Sequence, residues 1–225
     1  VHSLKDLDSI ETNGLIIQAY IKRNDPRESF VSKKFEKLSD LNNGKIGSSS
    51  RRRELQLKLM NKNLKIKTIR GNVDTRISKL NEGLYDAIIL SKAGIESLNL
   101  NKFISQEFSV EEIIPSVGQG IIAVQCRKND GEMIEFLKKI NHEKTNICAT
   151  AEREVLKTLE GDCDTAIGAF CSIKDNKIQI ITELFSVDGK KRYNLKLSKE
   201  LHFAKELGKE IGYFFKKESK GNYKR

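Results

Sequence analysis

Between residues 45 and 90 short apolar runs alternate with helical stretches, and this alternation leaves the chain few folds to choose from. Segment 45–60, "KIGSSSRRRELQLKLM", reads as a short strand, a small polar turn and a helix. Ser48 to Ser50 stand as N-caps, and Leu55, Leu59 and Met60 fall on the apolar side. "LKIKTIR", 64–70, predicts a strand. "NVDTRISKLNEG", 72–83, predicts a helix with Val73, Ile77 and Leu80 inward and Gly83 at its end. "YDAIIL", 85–90, is apolar nearly throughout and therefore a buried strand. Strand, helix, strand, helix, strand implies an α/β layer with a mainly parallel sheet covered by helices.

The flanking segments set boundaries. "GLIIQAYIK", 14–22, suits a strand that runs into the turn "RNDPRE", where Asp25-Pro26 marks a first boundary. "PSVGQGIIAVQCR", 115–127, passes through a Gly-Gln-Gly turn into another apolar strand, beside a second boundary. From 144 the pattern changes. "TNICATAEREVLKTLEG" is helical, with Ala151, Val155 and Leu159 aligned and Gly161 ending it. "AIGAFCSI", "KIQIITELFS" and "RYNLKLS" form an antiparallel meander, and "LHFAKELGKEIGYFF" closes as a helix with Phe203, Leu207, Ile211 and Phe214 on one face. The expected organisation is a first domain from 1–22 and 115–138, a second from 23–114, and a third, α+β, from 139–225.

With 41 Lys+Arg against 31 Asp+Glu, the net charge of +10 points to an anionic partner. Nucleic acid is the weaker candidate, because the chain has no Trp and no basic-aromatic surface motif. No run of about 18 apolar residues exists, so no membrane span is readable. The start, "VHSLKDLDS", lacks the basic-then-apolar design of a signal peptide and reads as a chain entered midway. A cytoplasmic location and a monomer are the default expectations, with a plastid or other organelle left open. Cys126, Cys148, Cys163 and Cys171 are spaced by 22, 15 and 8 positions, with no C-x-x-C pair, which argues against a zinc site.

Four features of the sequence are candidates for chemistry. "GSSSRRR" follows a strand and opens a helix, so backbone N–H groups, hydroxyls and guanidinium groups converge there on an anion; its spacing is not that of a Walker A loop. Arg70 ends one strand and Arg76 lies in the next helix, at strand carboxyl ends where open α/β sheets bind ligands. Surface salt bridging is the alternative for both arginine groups. "VHSLKD" offers His2, Ser3, Lys5 and Asp6 together, either as a solvated turn or as a carboxylate that protonates a leaving group and holds a developing cation. In "TLEGDCDTAIGAF", Cys163 stands alone between two acidic residues.

Taken in order, "VHSLKD", "GSSSRRRELQL", "IRGNVDTRISKLNEGLYDAIILSKAGI", "PSVGQGIIAVQCR" and "AEREVLKTLEGDCDTAIGAF" closely resemble the porphobilinogen deaminase family over most of residues 1–171. The resemblance implies two periplasmic-binding-protein-like lobes, the first incomplete here, plus a C-terminal domain with a three-stranded antiparallel sheet. It implies that Cys163, the cysteine of the family's L-E-G-x-C motif, carries a dipyrromethane cofactor through a thioether. A thiolate suits that attachment, being a good nucleophile toward an electrophilic methylene pyrrole. Asp6, from the H-S-x-K-D motif, would assist loss of ammonia from porphobilinogen and stabilise the cationic species that follow. Ser3, Lys5, Ser49, Ser50, Arg52 and Arg53 would hold the cofactor's acetate and propionate groups. Arg70, Arg76 and Gln119 would hold those of the substrate. Four additions and a hydrolysis would then release hydroxymethylbilane. A non-catalytic two-lobed anion receptor stays open as the alternative.

Several positions depart from the family pattern. Ser97 stands where a basic residue is usual, and whether Lys92 compensates is left open by the sequence; Asp162 replaces a glycine, Ala166 a proline, and Arg51 an apolar residue. Members of the family also carry several dozen residues before H-S-x-K-D. On that comparison the chain is expected to be a fragment with exposed apolar surface and little or no activity by itself.

Overall fold

A computed structural model describes residues 1–162 and 164–224; Cys163 and Arg225 lie outside the described residues. Along the chain β1 (His2–Ser3) enters a 3-10 turn (Leu4–Asp6) and is followed by β2 (Leu15–Tyr20). Next come β3 (Glu28–Val31), β4 (Lys45–Gly47), α1 (Arg51–Met60), β5 (Lys65–Lys67), α2 (Val73–Asn81), β6 (Ala87–Ser91), α3 (Lys92–Glu96) and β7 (Gln106–Glu107). The remainder is β8 (Ile122–Arg127), α4 (Gly131–Lys138), α5 (Glu143–Leu159), β9 (Ile167–Lys174), β10 (Lys177–Phe185), β11 (Arg192–Glu200) and α6 (Ala204–Ser219). Two compact units result: an inserted unit, Asp25–Ile113, and a discontinuous unit, Val1–Asn24 with Ile114–Arg225.

In the inserted unit the strands lie in the order β5-β4-β6-β3-β7. β4 runs parallel to β5 and β6, as the alternating pattern requires, whereas β3 is antiparallel to both β6 and β7. The sheet is therefore mixed, with its parallel pairing confined to β5, β4 and β6. β6 explains why "AIIL" shows no alternation. Ala87 and Ile89 face a core with Phe30, Ile46 and Leu57 of α1, while Ile88 and Leu90 face another with Val31, Ile77 and Leu80 of α2. Both faces of the strand are covered, so both side-chain rows are apolar.

α1 differs from its expected orientation. Leu55 and Leu57 are buried, but Leu59 and Met60 are 52% and 41% exposed, while Arg52, Arg53 and Gln56 turn inward. The cause is Glu28 on β3, which has no exposure at all and pulls two guanidinium groups beneath the helix.

The discontinuous unit contains two sheets. β1-β8-β2 is antiparallel throughout, and β11-β10-β9 is the expected antiparallel meander. α5 and α6 pack together over the meander, burying Val155, Leu159, Ile178, Ile180, Leu184, Leu207 and Ile211. The helices approach closely because Gly208 and Gly212 face α5; a Cβ at either would strike Ala151 O or Thr158 Cβ. Phe215, fully buried, takes the place expected of Phe214, and Phe203 is 42% exposed. α6 starts only at Ala204, so its inward stripe runs 207, 211, 215. On α4, Met133 and Phe136 leave apolar side chains exposed, as does the nearby Ile140.

Candidate functional site

The discontinuous unit holds Asp6 outward by burying its neighbour. Leu4 is 1% exposed and packs with Tyr20, Ile121, Ala123 and Ala149, while its N–H donates to Ile121 O at 2.9 Å. Room for Leu4 comes from Gly118, whose φ of +72° and lack of a Cβ admit the leucine side chain; a Cβ would lie 2.7 Å from Leu4 Cγ. This gives the glycine turn of "PSVGQG" its purpose: it seats β1 and the 3-10 turn that carry Ser3, Lys5 and Asp6. Ser3 and Lys5 are half-buried and Asp6 is exposed. Among the described residues no hydrogen bond or ion pair ties the Asp6 carboxylate, so it is available to a ligand.

The same turn is fastened from below by Glu152 of α5, which has no exposure. Its Oε2 accepts from Gly118 N–H at 2.8 Å and its Oε1 from Cys171 N–H at 2.7 Å. Arg23 Nη1 meets Oε1 at 2.5 Å and Nη2 meets Oε2 at 3.4 Å. Arg23 also donates to Gln119 O at 2.9 Å and lies 4.8 Å from the Phe170 ring centroid. Sequence reading missed this pair. Its only signal was a glutamate on the apolar side of a helix, at 152 between Ala151 and Val155. Gln119, expected to touch substrate, is instead fully buried, with Ser116 Oγ donating to its Oε1 at 3.3 Å.

Beyond Asp6 the chain reaches the turn that precedes Cys163. Ser9 Oγ donates to Gly161 O at 3.2 Å, and Arg153 Nη2 to Asp8 O at 2.9 Å. α5 ends not at Gly161 but at Glu160, which adopts the left-handed conformation with φ +51°. Asp162 Oδ1 then accepts from Asp164 N, Thr165 N and Thr165 Oγ1 at 3.0, 3.0 and 3.1 Å, a local Asx turn. Cys163 itself falls outside the described residues. The segment just after "HSLKD" is thus tied, through Ser9 and Asp8, to Gly161 and Arg153 within one unit. Cys148 and Cys171 are buried in the core of this unit, where the hydrogen bond with Cys148, and next burial, push the Cys171 thiol far up and keep it protonated.

The inserted unit assembles the arginines. Pairing of Gly47 with Lys67, continued by Ser48 N–H to Lys67 O at 2.9 Å, brings the serine turn beside the end of β5. Ser49 Oγ donates to Ile69 O, next to Arg70. Ser50 caps α1, its Oγ accepting from Arg53 N at 3.4 Å. Arg52 Nη2 and Arg53 Nη2 each lie 2.7 Å from a different oxygen of Glu28, while Arg52 Nη1 reaches Gln56 Oε1 and Arg53 Nη1 reaches Ile89 O. Both arginines expected to grip the cofactor are therefore turned inward onto an internal carboxylate. A glutamate at the head of the buried run "ESFV" was the signal, since such a charge demands a cationic partner.

Arg70 and Arg76 behave differently. Arg70 is exposed, and Arg76 Nε donates to Gly71 O at 2.7 Å. Neither has a carboxylate partner among the described residues. Burial, and next the charge of Arg53, pull the Arg76 guanidinium below its ordinary value. Arg52 and Arg53 share the one carboxylate of Glu28 and the charge of Arg53 still acts on Arg76, so positive charge is in excess, which a ligand carboxylate would neutralise. The residues thus fit a carboxylate-bearing group. Lys92 does not stand in for a basic residue at 97: its ammonium lies 3.1 Å from Asp25, 2.7 Å from Glu107 and 3.6 Å from Glu96. Burial works against its charge, yet Glu107 and Asp25 raise Lys92 above its ordinary value. Its charge is already matched.

Residues 1–135 match the family model described as porphobilinogen deaminase, dipyromethane cofactor binding domain, and residues 146–217 the one described as porphobilinogen deaminase, C-terminal domain. The chain is similar to porphobilinogen deaminase of Coxiella burnetii (strain Dugway 5J108-111), 44% identical over 191 residues, covering 84% of this chain and 62% of that protein. Similarity to porphobilinogen deaminase of Francisella tularensis subsp. novicida (strain U112) is 42% over 192 residues, covering 85% of this chain and 64% of that protein. The chain therefore spans less than two thirds of the length of these relatives. Two matched domain models that together cover most of the chain, and relatives at 42–44% identity over more than four fifths of it, place this chain in the porphobilinogen deaminase family.

Proposed function

We propose that the chain serves, within a protein of its relatives' length, as a transferase. Four porphobilinogen molecules are joined, each with loss of ammonia, onto a dipyrromethane held by Cys163, and hydrolysis releases hydroxymethylbilane. The observation that carries this reading is Arg76, part-buried, held by its Nε on Gly71 O, and with no carboxylate partner among the described residues. Each pyrrole ring brings two carboxylates, so a growing chain needs such uncompensated guanidinium groups, whose forked donors match carboxylate geometry. When bound, the dipyrromethane supplies the pyrrole terminus at which each new ring is added.

The chain's own residues divide the work. Arg70 and Arg76, with the Ser49 and Ser50 turn, bind carboxylates. Arg52 and Arg53 set the positive potential and keep the start of α1 in register through Glu28. Lys5 and Ser3 flank Asp6, whose exposed carboxylate donates or withdraws a proton at the departing ammonia and offsets positive charge on the substrate. The Ser9 to Gly161 hydrogen bond keeps the segment after Asp6 in step with the turn before Cys163.

Intact-mass measurement of the protein purified from its native host, with peptide mapping, tests this. The expected result is a two-ring adduct on Cys163, absent after Cys163→Ser, with Asp6→Asn keeping the adduct and losing turnover by a factor of about 100 or more. An unmodified Cys163 that stays unmodified after incubation with porphobilinogen would instead identify an anion receptor.

Arg76→Leu offers a separate check. Loss of a charge-assisted contact is expected to raise KM for porphobilinogen by about tenfold or more. Thermal unfolding of the same variant should show Tm unchanged or higher, because the repulsion with Arg53 is relieved. A lowered Tm would assign Arg76 a structural role.

A further inference from the structure

The chain continues past residue 217, where the match to the C-terminal domain model stops, and this continuation is fastened to the turn that precedes Cys163. After α6 the backbone reverses through Lys220 and Gly221, with φ of 50° and 78°. Tyr223 is then 4% exposed, and its hydroxyl donates to Leu159 O, on the last residue of α5, at 2.9 Å. Lys224 Nζ lies 2.6 Å from Glu160 Oε2, and Lys216 Nζ lies 2.9 Å from Oε1. These two lysines, Lys224 first, hold the exposed Glu160 carboxyl down to about 2. On the other side Val187 N–H donates to Asn222 O at 3.2 Å, tying the segment to the loop after β10.

Glu160 is the residue so clasped, and it has φ +51°, a conformation that residues with a Cβ keep only when their surroundings hold them there. Glycine normally serves at such a helix end. Here Gly161 follows it, and its N–H donates to Leu156 O at 3.0 Å while its carbonyl receives Ser9 Oγ. Tyr223 grips the helix carbonyl and the two lysines grip the side chain, so the left-handed turn is set from outside the helix that it ends.

We infer that Lys216, Tyr223 and Lys224 are positioning residues that fix the Glu160 turn and thereby the direction in which the chain leaves α5 toward Cys163. This rests on the reading of Cys163 as the cofactor-bearing residue. Among the described residues the side-chain bonds of Lys216, Tyr223 and Lys224 go to Leu159 and Glu160, so the expected effect is on presentation of the thiol and not on affinity for free substrate.

Hydrogen exchange on the holoenzyme of native length, comparing wild type with Tyr223→Phe and Lys224→Ala, is the test. Loss of one buried hydrogen bond is expected to speed exchange at Gly161 to Thr165 about fivefold in Tyr223→Phe, with the amides of β9 to β11 unchanged. Lys224→Ala should speed it about twofold in dilute buffer and not at all in 1 M salt, where an exposed ion pair is screened. In apoprotein of each variant, the rate at which Cys163 gains mass from porphobilinogen should fall severalfold while KM of the loaded enzyme stays unchanged. Exchange unchanged at 161–165 in both variants overturns the inference, as does an equal rise across α5 and the meander, which would mark general packing. Faster exchange with unaltered loading overturns it too. If wild-type Cys163 accepts no pyrrole, the reading of that residue falls and takes this role with it, while the exchange data still decide whether the clasp exists.

Discussion

Replacing Glu152 with alanine is expected to destabilise the discontinuous unit by about 3–5 kcal/mol, the usual cost of stranding a buried charge. Arg23 would lose both contacts to the carboxylate, and the N–H groups of Gly118 and Cys171 would lose their acceptor in a site closed to water. Chemical denaturation followed by far-UV circular dichroism measures this. Glu152→Gln should cost about half as much, because one amide oxygen still accepts from a backbone N–H. The double change Arg23→Met, Glu152→Met should not recover wild-type stability. Isosteric apolar replacement of a buried ion pair is often neutral, but this carboxylate also satisfies two backbone donors that methionine cannot. A loss below about 1 kcal/mol in Glu152→Ala would show that the network is dispensable. Because Gly118 seats Leu4 and Leu4 seats Asp6, turnover should fall with stability even though Glu152 touches no reacting atom.

Glu28→Gln is the second large effect, in the inserted unit, and it carries a pH signature. Burial raises the Glu28 carboxyl, but the charges of Arg53 and Arg52 and their hydrogen bonds outweigh it and bring the group down from 4.5 to about 2. The unfolded chain therefore binds the proton more readily than the folded one. The stabilisation is complete above pH 4.5 and is lost as pH falls toward 2. Its full size is about 3 kcal/mol from the linkage relation. Urea unfolding at a series of pH values should show wild type exceeding Glu28→Gln by that amount near neutrality, with the gap closing below pH 4.5. A gap independent of pH would mean that Arg52 and Arg53 are held by something other than the ionised carboxylate. Asp25, also near 2 through Arg27 and Lys92, titrates in the same unit, so the difference between the two proteins isolates Glu28.

Much of the fold was legible because it rests on periodicity. β6 is a continuous apolar run since both its faces are covered, α2 shows Ile77 and Leu80 at helical spacing, and the meander alternates. Errors arose where a polar group outcompeted the pattern. Leu59 and Met60 lie outward because Glu28 draws Arg52 and Arg53 beneath α1, and helical periodicity has no representation of a charge located 24 residues earlier. β3 and β7 run antiparallel because β3 enters the sheet from the preceding turn and not through a crossover helix, a matter of connection and not of composition.

The site divides in the same way. Residue types and order single out Asp6, the arginine-rich helix start, Arg70, Arg76 and Cys163 as candidates, through charge, spacing and resemblance to the family's motifs. Which arginines remain available was decided by folding alone. Arg52 and Arg53 are turned inward to share the one carboxylate of Glu28, Lys92 is surrounded by Asp25, Glu96 and Glu107, and Gln119 is buried, whereas Arg70 and Arg76 have no carboxylate partner among the described residues. Local sequence sets what a residue can do, through its pKa, its donors and its helix or strand preference. Whether it does so depends on which distant charge lies within a few ångströms and whether water reaches it, and only the tertiary structure sets those.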